Sequence, residues 1–187
     1  MRQILSVAAL LLTGCLNLPA QIEIPADFEA LLQKTGVEIF FPLESTYRNW
    51  GSGENEWFNC EFAIRSRKEK IEIRYHLQPY LDSDPTADLP HLNCMRLLTH
   101  LASNDEDAVI AAHVLSDTDL EDYRADWGKL YFFRPKRSFG DYANCQLLAL
   151  YREGVGMACV FYFFDEPSVN LEDRLREIRF AAPLKQR

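Results

Sequence analysis

Two runs near the C-terminus constrain this chain more than anything else in it. Residues 142–151 and 157–164 are apolar on both faces, and the short link between them carries Gly154 and Gly156. A hairpin of that kind must be covered above and below, so the fold has to supply a layer on each side of a sheet. With 187 residues, of which 48% are hydrophobic and 12 are phenylalanine, the chain has the material for such a core. Residues 169–179, where Leu171, Leu175 and Ile178 recur at helical spacing, are expected to form one covering helix.

A second hairpin is predicted upstream. Phe58, Cys60, Phe62 and Ile64 alternate with Asn59, Glu61 and Arg65, and after a charged turn Ile71, Ile73, Tyr75 and Leu77 alternate with Glu72, Arg74 and His76. That period of two gives one buried face and one wet face. The turn Arg67, Lys68, Glu69 and Lys70 leaves the register open. Pairing Arg65 with Glu72 sets Glu61 against His76, whereas a shift of two sets Glu61 against Arg74.

Helices are expected at residues 25–36, where Phe28, Leu31 and Leu32 share a face and Gly36 stands at the stop. Others are expected at 90–102, through Cys94, Leu97, Leu98 and Leu101, and at 117–127, capped by Ser116 or Asp117 and closed by Gly128. Residues 37–41, 109–115 and 130–134 read as strands, and 44–56 as a loop with turn chemistry.

Tight hairpins exclude an all-parallel sheet, so the class is α+β, with a mostly antiparallel sheet covered by helices. The element order over residues 25–180, with the buried hairpin 145–164 and a closing segment ending in Arg179 and Phe180, resembles the PsbP-like fold. That fold is shared by lumenal photosystem proteins and a nuclear-import factor that binds a small GTPase. The resemblance implies an architecture and no catalytic motif. Asp126, Trp127 and Gly128, followed by Phe133, Arg134, Pro135 and Lys136, are similar to a segment of uncharacterised exported bacterial proteins.

The N-terminus reads as an address. Arg2 precedes an apolar run of nine residues, 4–12, which ends in Leu12, Thr13, Gly14 and Cys15. Those four residues resemble the lipobox of bacterial lipoprotein signal peptides, in which the cysteine thiol takes a diacylglyceryl group. The resemblance implies a signal peptide at 1–14, a lipid on Cys15, a tether at 15–24 and one globular domain at 25–187. It implies export to the periplasm or cell surface, and Leu16 after the cysteine resembles lipoproteins sorted to the outer membrane. The alternative is a secretory signal cut near Ala20, although Leu18 is large for the position it would occupy. Export permits disulfides, and Cys60, Cys94, Cys145 and Cys159 allow three pairings; their apolar surroundings favour free thiols instead.

Charge narrows the function. The 20 basic residues against 28 acidic ones leave a formal charge of -8, which repels nucleic-acid backbones. No nucleophile elbow, phosphate-binding glycine loop or zinc-protease helix occurs. His91 and Cys94 are spaced for a metal, but His100 lies nearly opposite on the same helix, so neither metal nor cofactor is expected. The basic group Arg134, Lys136 and Arg137 could hold an anion, and a solvated strand end is the simpler reading.

The surface best suited to recognition is the polar hairpin face, with Trp57, Glu61, Arg65, Glu72, Arg74 and His76 as candidate ligand-binding residues. The function expected is that of a non-enzymatic, lipid-anchored module of the bacterial envelope that binds a protein, peptide or glycan. An envelope hydrolase would instead need a pocket joining two of His76, His91, His100 and His113 with a carboxylate.

Overall fold

A computed structural model of the chain describes residues 22–41, 46–51, 58–166 and 169–182. The terminal hairpin stands near the middle of the molecule. Strand β7 (Asn144–Arg152) pairs with β8 (Gly156–Phe164) from Asn144 opposite Phe164 to Arg152 opposite Gly156, and β8 is buried along its whole length. The upstream hairpin, β3 (Phe62–Ser66) with β4 (Ile71–Pro79), joins it through β4 against β8.

Strands β6 (Trp127–Phe133) and β5 (Ala111–Val114) extend the sheet on the far side of β7, and β2 (Tyr47–Asn49) closes the near edge. The result is a seven-stranded antiparallel sheet in the order β2-β3-β4-β8-β7-β6-β5. Strands β1 (Val37–Ile39) and β9 (Ile178–Phe180) form a separate antiparallel pair. This is the expected α+β class.

Two layers cover the sheet. On one face Ile64, Ile73, Tyr75, Leu148, Leu150, Val160 and Tyr162 meet Phe28 of α1 (Ala26–Thr35) and Val37, Ile178 and Phe180 of the small sheet. Helix α1 begins after Pro25 with Asp27 and Glu29 in its first turn, and ends at Gly36, whose φ of 58° favours glycine. On the other face Cys145, Leu147, Cys159, Phe161 and Phe163 meet Cys94, Leu98 and Leu101 of α2 (Pro90–Leu101), together with Phe139. Helix α3 (Asp117–Tyr123) starts in a capping box between Ser116 and Asp119 and lends Leu120 and Tyr123 to the first layer.

Several expectations change. The closing helix is a single turn, α4 (Glu172–Leu175); Ile178 and Phe180 then alternate as strand β9, because pairing with β1 buries both. Helix α3 stops at Tyr123, with Arg124 in the left-handed conformation, so Trp127 opens strand β6. Strand β2 lies in what reads as a loop.

The wet hairpin face is the largest correction. Glu72 and Arg74, read as exposed, are 1% and 5% accessible, because the segment carrying Phe139 and Tyr142 folds over them. The alternation also breaks between Cys60 and Phe62. Phe62 and Ile64 join the first layer while Phe58 and Cys60 join the second. All four described cysteines are buried free thiols, and burial pushes them up, Cys94 to about 12.

Candidate functional site: a cationic notch at the sheet edge

The hairpin takes the first of its two registers, with Arg65 opposite Glu72. Glu61 therefore meets His76, its Oε1 3.0 Å from Nδ1, while its Oε2 accepts from the Leu77 amide at 3.1 Å. Phe58 packs edge-on against the His76 ring, with centroids 4.6 Å apart. Glu61 thus fastens the end of β4, at the point where the alternation breaks between Cys60 and Phe62.

One step further in, Arg74 donates from Nε to Glu72 Oε1 at 2.6 Å and from Nη1 to the Phe139 carbonyl, with Phe163 4.5 Å beneath its guanidinium. Tyr142 donates to the other Glu72 oxygen at 2.7 Å. Burial and that carboxylate raise the Tyr142 phenol. Both Glu72 oxygens and the Nε and Nη1 of Arg74 have partners inside the protein, and both side chains are buried, so the pair is structural.

Arg65 belongs to a different environment. It is half-buried, with its guanidinium 4.8 Å from the centroid of Trp50 and 5.8 Å from that of Tyr142. Strand β2 pairs with β3 so that Arg48 stands directly opposite Arg65. Like charges across a strand pair cost stability unless something neutralises them. Here the two arginines, with Arg67 and Lys68 from the turn, line a notch of about 370 Å³ that also takes in Thr46, Asn49 and Trp50. Among the described residues none of the four cations pairs with a carboxylate. Lys70, the next cation along, is engaged by Glu166 at 2.5 Å.

Other clefts differ in kind. The cluster of Arg134, Lys136 and Arg137 borders a cavity of about 670 Å³ that Asp105, Asp141 and Asp165 also line. Arg134 is paired with Asp105 at 3.1 Å and Asp107 at 3.8 Å, and Lys136 donates to the Thr99 carbonyl. Arg134 and Lys136 thus already have partners, and acids line the cavity beside them. A third cleft, about 570 Å³, is lined by His100, Asp84, Gln78 and Arg96, with no second histidine. Hydrogen bonds from Thr86 hold the Asp84 carboxyl below its usual range. Among the described residues no group of three or more His, Cys, Asp or Glu side chains could hold a metal ion.

Of the sequence-predicted site residues, the fold brings Glu61 and His76 together, buries Glu72 with Arg74, and delivers Arg65 to the notch. Trp57 and Cys15 lie outside the described residues. Arg48 and Trp50 were not legible as site residues, because a three-residue strand has too few positions to reveal a period. The usable signal was the charged turn, whose Arg67 and Lys68 have no complementary acid in the adjoining strand β2. Comparison with protein-family models, with curated proteins and with solved structures returned no match.

Proposed function

We propose that this protein is a lipid-anchored module of the bacterial envelope, exported and held to the outer membrane through Cys15, that works by binding and not by catalysis. The site is the notch of Arg48, Arg65, Arg67 and Lys68, and the ligand carries an anionic group. One observation supports this most: four cations converge without a carboxylate among the described residues, on a chain whose formal charge is -8. Guanidinium groups grip oxyanions with paired hydrogen bonds, and Trp50, 42% exposed, offers an apolar wall beside them. The protein, peptide or glycan expected from the sequence widens, on this reading, to any envelope component that presents an anionic group.

The notch reading is tested by titrating glycerol 3-phosphate into the full chain and into Arg48→Gln and Lys68→Gln, following heat. Each substitution should weaken binding about tenfold, the effect of one charge-assisted hydrogen bond. Equal affinity in all three proteins would move the site elsewhere. The alternative, an envelope hydrolase, draws on the contact between His76 and Glu61. It predicts turnover of ester or glycoside substrates that His76→Gln abolishes, and no such loss under the binding reading.

A further inference from the structure

We infer that the anion taken by the notch is the headgroup phosphate of a phospholipid with net negative charge, in the membrane that holds the chain, so that the notch seats the domain on its own bilayer. This rests on the lipid-anchored binding reading and adds to it the identity of the ligand.

The decisive residue is Asn49. Its side chain lines the notch and also grips the backbone of Glu23 from both sides, accepting from the Glu23 amide at 3.0 Å and donating to the Glu23 carbonyl at 2.5 Å. The chain coming from the N-terminus therefore joins the folded body at the rim of the notch. Only seven residues, 16–22, separate that point from Cys15. Fully extended, the eight steps from residue 15 to residue 23 span at most about 29 Å. An acyl group on Cys15 would consequently hold the notch within that distance of the headgroups.

Charge sets the orientation. Loss of Arg2 with the signal peptide takes the formal charge from -8 to -9, so an anionic leaflet repels the molecule as a whole. Arg48, Arg67 and Lys68 are exposed beside the point where the tether arrives, and among the described residues they give that place a positive group that such a leaflet attracts. Trp50 fits the same setting, since an indole is amphipathic and favours the headgroup level. Tethering removes the need for high intrinsic affinity, because a short linker presents the headgroups at an effective concentration in the millimolar range.

The test uses the full chain, purified from membranes and placed in vesicles of phosphatidylcholine alone or of phosphatidylcholine with phosphatidylglycerol. Amide exchange of residues 46–50 and 67–70 is followed by mass spectrometry. Exchange should slow only where phosphatidylglycerol is present, and high salt should reverse it. The protection should fall roughly fivefold for each of Arg48→Gln and Lys68→Gln, the contribution of one basic residue near an anionic surface. Equal exchange in the two kinds of vesicle would overturn the inference. So would equal protection by soluble glycerol 3-phosphate without vesicles, which would make the ligand a free anion. Failure of the anchor alone looks different: the chain would not float with phosphatidylcholine vesicles, while the phosphatidylglycerol comparison would still decide the docking.

Discussion

Arg74 and Arg65 sit nine residues apart on one hairpin and have opposite fates, and the difference is set by who covers them. Arg74 lies under Phe139 and Tyr142 with Glu72, so removing its charge strands a buried carboxylate. Arg74→Ala should cost about 3 to 5 kcal/mol of stability, read from denaturant unfolding, and a loss below about 1 kcal/mol would mean that water reaches Glu72. Glu177 is a half-buried acid, with Oε1 accepting from Arg174 and the buried Oε2 left without a partner among the described residues. Burial outweighs Arg174 and raises its carboxyl from the ordinary 4.5 to about 7. The folded state therefore binds this proton more tightly than the unfolded state, and stability from this group falls as pH rises through that window. Glu177→Gln should remove the fall: the melting temperature of the natural chain, relative to the variant, should drop between pH 4.5 and pH 7. Parallel melting curves across that range would contradict it.

Elements were legible wherever one residue period ran long enough. The hairpin of β7 and β8 could be read because its doubly apolar pattern has one structural solution, and both strands are buried as expected. Helices α1 and α2 followed from their stripes and end signals. The polar face of β4 misled because charge along a strand says nothing about what covers it. Its cover, around Phe139 and Tyr142, belongs to no periodic element. Residues 169–179 misled because Leu171, Leu175 and Ile178 fit a helix as well as a short turn followed by a strand. Gly156 is the point on which the hairpin hinges in sequence terms. Its φ is 138°, and a Cβ there would collide with the backbone of Gln78 and stand 2.9 Å from the Tyr80 nitrogen. Gly156→Ala should therefore cost on the order of 3 kcal/mol, whereas Gly154→Ala, with open space around it, should lose only the cost of its left-handed φ. Equal losses at the two sites would show that β8 can shift against β4.

At the scale of the whole molecule, the described elements separate stability from recognition. The sheet interior and both layers are apolar or internally paired, while four cations without an ion pair among the described residues gather at the β2 edge, where Asn49 also receives the incoming chain. That coincidence gives the notch a meaning only if the chain is tied to a membrane nearby. Attachment through Cys15 is thus the proposal on which the orientation, the reach of the tether and the source of the anion all depend. Intact-mass analysis of the protein extracted from cell envelopes measures it directly. The predicted result is a chain that begins at Cys15 and carries a diacylglyceryl group, lost in Cys15→Ser. A chain beginning at Gln21 without lipid, or an unmodified chain retaining Met1, would contradict it.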